Sequence, residues 1–167
     1  MSGGLAPWRR RARGLAAAAL AALALPAWAQ IARLDDSASP RAQVQTDFGR
    51  AQPVDAHTVR LALGRVDYRL ATAPYVGRRA RIFYVVPAQI AGLRSPGALT
   101  VQWGAGALLG AGQAQAGMRV PVWTGVVRGP WLQDAIELTL LIDTRALQLP
   151  GRMPLSFESY FEIEVLP

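Results

Sequence analysis

The chain is 167 residues long, 51% hydrophobic and 17% charged, with 16 glycines, 12 prolines and no cysteine. That length suits one domain, and the apolar content is that of a folded chain. Without cysteine there is no disulfide framework, thiolate zinc site, cysteine nucleophile or lipid-modified N-terminal cysteine. The single histidine leaves neither a multi-histidine metal site nor a conventional serine–histidine triad to build.

The first thirty residues divide into three zones. Arg9, Arg10, Arg11 and Arg13 form a positive stretch, residues 15–25 are an unbroken run of Leu and Ala, and Pro26 precedes Ala27-Trp28-Ala29. A charged n-region, an apolar core too short to span a bilayer and small residues at a cleavage site predict a Sec-type signal peptide cut after Ala29. The twin-arginine route fits less well, because Ala12-Arg13-Gly14 follow the arginine pair, and an uncleaved anchor is the rival reading. Cleavage would leave residues 30–167 and remove four of the eighteen arginines. No acid precedes Asp35, so the net charge falls from +7 to 14 − 11 = +3. So small a charge argues against a nucleic-acid partner, whose affinity comes mainly from neutralised phosphates. Arginine and alanine in abundance with no lysine match the codon bias of a GC-rich bacterial genome. The expected location is therefore the periplasm or the cell exterior, with no stable membrane span after cleavage.

Residues 30–41 are polar and read as a flexible leader, with residues 42–167 as one β domain. From Ala42 onward the apolar period is two. Ala42, Val44, Thr46 and Phe48 alternate with polar residues, then Val59, Leu61 and Leu63, then Val66, Tyr68 and Leu70. The parity flips at Gly64-Arg65, which predicts a tight hairpin there; a bulge is the other device that shifts parity. Residues 81–86 are β-branched and aromatic almost throughout, as in a central strand covered on both faces. Alternating runs follow at Leu99, Val101, Trp103; at Val120, Val122, Thr124, Val126; and at Ile136, Leu138, Leu140, Ile142. The last, over residues 155–166, sets Leu155, Phe157, Phe161, Ile163 and Val165 against Glu158, Glu162 and Glu164. Seven or eight strands at this spacing predict an all-β fold, an antiparallel β-sandwich of immunoglobulin-like type; a closed barrel is the alternative.

Few motifs carry chemistry. Gly104-Ala105-Gly106 with Gly110 and Gly112 follows an apparent strand but opens into no helix, so it lacks the amide cradle of a nucleotide loop. His57 beside Asp55 reads as an exposed strand-start pair, with no serine in a nucleophile elbow to serve. Glu158, Glu162 and Glu164 could do carboxylate acid–base work, yet alternating acids on a solvated strand face need no catalytic explanation. Asp35-Asp36-Ser37 lacks the glycine turn and distal glutamate of a calcium hand. No cofactor is expected.

The arginine–aromatic set is the more informative one. Tyr75, Arg78, Arg79 and Arg81 lead into the strand carrying Phe83 and Tyr84, Trp123 breaks the parity of its run, and Trp131 follows a Gly-Pro turn. Trp103 and Trp123 read first as core residues, and Trp131 as the tryptophan available to a partner. Tyr, Trp and Arg dominate binding hot spots, and flat indoles also suit sugar rings. The expected role is therefore non-enzymatic recognition in the bacterial envelope, through Tyr75, Arg78, Arg79, Arg81, Trp123 and Trp131. The partner is an envelope protein or a copy of the chain, with a glycan as a lesser target. A surface-appendage or adhesin-type subunit that assembles by strand addition through its long last strand is the alternative, and a metal-free carboxylate hydrolase the third reading.

Overall fold

The computed structural model describes residues 30–39, 48–148 and 158–167. The predicted signal peptide, most of the run from Ala42 to Phe48, and the apolar positions Leu155 and Phe157 lie outside the described residues. The described residues form nine strands: β1 (Ile31–Arg33), β2 (Gln52–Pro53), β3 (Thr58–Ala71), β4 (Arg79–Val85), β5 (Leu99–Trp103), β6 (Gly112–Gln115), β7 (Arg119–Val126), β8 (Trp131–Asp143) and β9 (Tyr160–Val165). The only helical pieces among the described residues are single 3-10 turns, and no described helix is long and apolar enough to cross a membrane.

The strands form two antiparallel sheets that enclose one core, an arrangement compatible with a β-sandwich. The first has the order β1-β9-β4-β7 and the second β2-β3-β8-β5-β6. Each pair is nested inside the last: β1 with β9, β3 with β8, β4 with β7, and innermost the β5–β6 hairpin. Successive pairs go to opposite sheets, and the contacts β4·β9 and β5·β8 join them within each sheet. This is the strand order of a jelly roll rather than the ABED/CFG order of the immunoglobulin type. A closed barrel would need one continuous sheet, whereas here the two sheets are separate.

Three local expectations change. Gly64 does not turn a hairpin: β3 runs straight through it as one fourteen-residue strand, paired along its length with β8. The register slips between Ala62 and Gly64, and Gly64 adopts φ +77°, so a bulge with glycine in the left-handed region shifts the parity. The leader is not free over its first residues. Ile31–Arg33 pair with β9, Leu34 is 2% exposed, and its amide donates to the Phe161 carbonyl. The chain then crosses to the other sheet, where the Ala71 amide donates to the Asp35 carbonyl and the Arg69 amide to Ser39 Oγ. The last strand is no free border either: β9 covers six residues and lies between β1 and β4.

The core follows from alternation. Ile82, Tyr84, Phe161 and Ile163 from the first sheet meet Leu61, Leu70, Leu99, Leu140 and Ile142 from the second, all at most 2% exposed. Tyr84 packs on Trp103 with centroids 4.6 Å apart and edge-on to Phe161 at 5.3 Å, while Tyr68 meets Phe161 at 4.9 Å. Trp103 is a core residue, as expected, and its indole N–H donates to the Gly110 carbonyl at 2.9 Å. On the outer face of the first sheet, basic and acidic strands lie side by side. Arg119 Nε stands 2.9 Å from Glu162 Oε2, outside the angular range of a hydrogen bond, and its guanidinium covers Phe83 at 3.6 Å. Arg81 reaches Glu164 at 4.0 Å.

Candidate recognition cleft

At the end of the sandwich where β3 passes to β4 and β7 to β8, a cleft of about 380 Å³ opens beside β7. Its walls are Trp123 to Val127 of β7 and the residues just beyond it, Arg128 and Gly129 of the following turn, Trp131 to Gln133 of β8, Thr72, and Leu108. Thr72 is buried at its back, with its hydroxyl donating to the Gly129 carbonyl at 2.8 Å. Three large apolar side chains of this lining are open to solvent: Leu108 at 52%, Val126 at 50% and Trp131 at 41%. Apolar exposure gathered in one concavity is the usual mark of a surface that meets a partner.

Each wall has a sequence cause. β5 ends at Trp103, opposite Leu138, so β8 from Trp131 to Glu137 has no β5 partner on that side. The loop over residues 104–109 fills part of that gap and is tied down by one side chain. Asp134 Oδ1 accepts the Ala107 amide at 2.9 Å, and Oδ2 accepts those of Leu108 at 2.8 Å and Leu109 at 2.7 Å. Its Oδ1 also accepts from Ala135 at 2.8 Å. Partial burial alone pushes the carboxyl's pKa up, but the four amides together bring it below the ordinary aspartate value. A Cβ at position 106 would overlap this carboxylate, so the close approach requires Gly106. The glycine-rich stretch that resembles a nucleotide loop thus turns its amides onto a side chain of its own protein.

The opposite wall is set by a second bulge. The β4–β7 register slips between Ile82 and Phe83, which pair with Trp123 and Pro121. Trp123 therefore shares the inward face with buried Ile82, which answers its parity break, and its ring lies over Gly125. Trp123 is half-buried, with part of its surface packed against the core and part lining the cleft.

Of the six residues singled out from sequence, Trp123 and Trp131 both line the cleft. Trp131 sits under the Arg69 guanidinium at 4.4 Å. Arg78 and Arg79 are exposed beside it: the Arg78 carbonyl accepts the Val127 amide, and Arg79 is the register partner of Val126. Neither has an ion-pair partner among the described residues, nor does Arg128. Tyr75 departs from expectation, because its 3-10 turn packs it against the core. Arg81 faces outward to Glu164, in register with Thr124. The sequence reading missed Leu108, Val126 and Asp134.

The other candidates are accounted for structurally. Asp55 accepts the backbone amides of His57 and Thr58, both at 2.8 Å, closing the turn before β3. Glu162 and Glu164 are engaged by arginines, and no cluster of three metal-ligating side chains occurs among the described residues. No protein-family model, curated protein or solved structure matches the chain.

Proposed function

We propose that the protein is an exported, non-enzymatic recognition protein of the bacterial cell envelope, which binds another envelope protein through the Trp123–Trp131 cleft and the arginines at its rim. One observation carries this reading: exposed Leu108 and Trp131 line a single cleft with exposed Val126 at its outer edge, beside Arg78, Arg79 and Arg128, which have no ion-pair partner among the described residues. Anchoring aromatics with arginine at the margin are the composition of an interface centre. The jelly roll adds no function by itself, since unlike activities share one fold. The carboxylate-hydrolase alternative loses support because Glu162 and Glu164 lie beside arginines on an open sheet face.

The test is photocross-linking in the producing cell, with a photoreactive residue at Leu108 or at Arg128 and a control at Gln89, in the connection between β4 and β5. The expected result is one envelope protein joined from both cleft positions and not from the control. The adduct should disappear when Arg78 and Arg79 are both changed to Glu, with the fold intact by circular dichroism. No adduct from either cleft position, or an adduct indifferent to the double charge reversal, overturns the assignment. A glycan target would appear as carbohydrate retained at the cleft in the absence of a protein adduct, and would equally overturn it.

A further inference from the structure

The cleft runs along a strand border whose backbone is partly vacant. β7 is the last strand of its sheet, paired with β4 on one side only. Its two ends fix which peptide groups look outward. The Val127 amide donates to the Arg78 carbonyl and the Val127 carbonyl accepts from Gly77, so that residue turns toward β4. The Val122 carbonyl accepts from Gly110 at 2.7 Å, so that group turns away from β4. Peptide groups alternate sides along an antiparallel strand, which puts those of Thr124 and Val126 on the outer border. Among the described residues nothing pairs with them there. Upstream the chain fills its own border with Gly110; downstream it stops.

We propose that this border receives an extended segment of the envelope partner as an added β-strand, the segment carrying an apolar residue flanked by acidic ones. The proposal rests on the recognition reading above and specifies its mode. Cross-strand neighbours share a face, so a residue set opposite Gly125 would point inward, onto the Trp123 ring and toward Leu108. Residues set opposite Thr124 and Val126 would point outward, onto the face where Arg81 and Arg79 stand in register with them. Arg81 stands beside Glu164, so the unpaired cations here are Arg79 and, at the lip, Arg128. Three acids of the neighbouring strands and leader are engaged or turned away: Asp134 is held by four amides, Glu164 lies beside Arg81, and Asp35 is on the far side of β3 from Trp131. The local charge therefore selects an acidic segment. It also disfavours a second copy, because two β7 borders paired about a two-fold axis would bring Arg79 and Arg128 of each chain together.

The test uses the protein as isolated from the producing cell and three synthetic ten-residue peptides: alternating Leu and Glu, alternating Leu and Lys, and a Leu/Glu peptide of equal composition without alternation. The alternating Leu/Glu peptide is expected to bind at least ten times more tightly than the other two. Bound peptide should slow hydrogen exchange at the Thr124 and Val126 amides specifically. Val126→Pro removes an outward N–H and no bond to β4, so it should abolish binding while the melting temperature is kept. Binding without protection of the two amides overturns strand addition, as does equal binding of the lysine peptide for the acidic preference. Should Val126→Pro not fold, the exchange measurement on the unaltered protein decides alone. A photocross-link from Val126 to a second copy, or to another part of the same chain, also overturns the assigned occupant. If the cleft cross-links an envelope protein while these peptides leave the border unprotected, only the strand-addition mode fails. If it cross-links nothing, the recognition reading fails with it.

Discussion

Replacing Asp134 by Asn keeps the shape of the side chain, removes its charge and turns one acceptor into a donor. In the native protein both carboxylate oxygens are used, one by Ala107 and Ala135 and the other by Leu108 and Leu109. The single oxygen of Asn can serve one of these pairs, and its NH₂ group must then face the other pair of N–H donors. Bonds to a charged acceptor contribute about 1.5–3 kcal/mol each, toward the lower end where water reaches the amide. Ala107 and Leu108 are exposed and Leu109 is buried, so losing two such bonds should cost about 3–4 kcal/mol. For a domain of this size that is a fall in melting temperature of roughly 6–16 °C.

The pH dependence supplies a second, independent check on Asp134. Its pKa in the folded protein lies below the ordinary value of 3.8, so the ionised form is the one the fold favours. The contribution to stability is complete above pH 3.8 and is lost as pH falls through the lower, folded-state value. Urea titrations of both proteins from pH 7 to pH 2 should show a gap that is constant at neutral pH and closes in acid. A difference below about 0.5 kcal/mol at pH 7, the ordinary scatter of surface changes, would refute the reasoning. So would a gap that persists undiminished at pH 2, because it would then not come from the charge.

Three further outcomes are expected. Leu34→Ala should destabilise the protein by about 2–4 kcal/mol in urea unfolding, because Leu34 is 2% exposed; a change near zero would restore the flexible leader. Gly64→Ala should cost about 1–2 kcal/mol from its positive φ alone, since a Cβ there meets nothing within 4 Å, and Gly64→Asn should cost less; equal stability of all three would argue against the bulge. Asp143, held by the Arg145 guanidinium and backbone amide, should titrate at about 2 by NMR, and Arg145→Ala should move its carboxyl back toward 3.8. An unchanged midpoint would remove Arg145 as the cause.

Strands with buried alternating residues were legible. β5 and β8 fall where their alternating apolar runs lie, because a half-buried sheet imposes a period of two on any sequence that forms it, and β4 falls where the run is unbroken, as in a strand at the centre of its sheet. Gly64 shows the limit of that signal. A hairpin and a bulge shift the parity alike, and the choice between them depends on β8, whose pairing with β3 begins some seventy residues further on. Ile31 and Leu34 were hidden by the opposite effect: two apolar residues among polar ones make no periodic pattern, yet one edge-strand contact with β9 buries Leu34. The tryptophans of the cleft were visible by type, and their place in one cleft was not. Tyr75 and Arg81 share a segment with Arg78 and Arg79, but one packs, partly buried, against the core and the other points to Glu164. Asp134 left no trace at all, because its three loop donors stand 25 to 27 residues away.

The cleft and the vacant border have one origin in the nesting of the roll. The innermost hairpin is short: β5 has five residues and β6 four, against thirteen in β8. β5 therefore runs out at Trp103 and exposes the first half of β8, and the returning chain can reach β7 only as far as Gly110, which takes the Val122 carbonyl. Beyond that point neither the border of β7 nor the flank of β8 has a strand partner among the described residues. Carrying β5 on to the level of Trp131 would pair the open flank of β8. The loop that stands in its place is held by Asp134 and offers Leu108 to solvent instead of closing the gap. Burying the part of Leu108 and Trp131 that is still exposed would stabilise the isolated domain by about 1 kcal/mol each. A fold that could gain this by lengthening one hairpin, and instead anchors the shorter loop with four amide bonds, keeps the opening as a built feature.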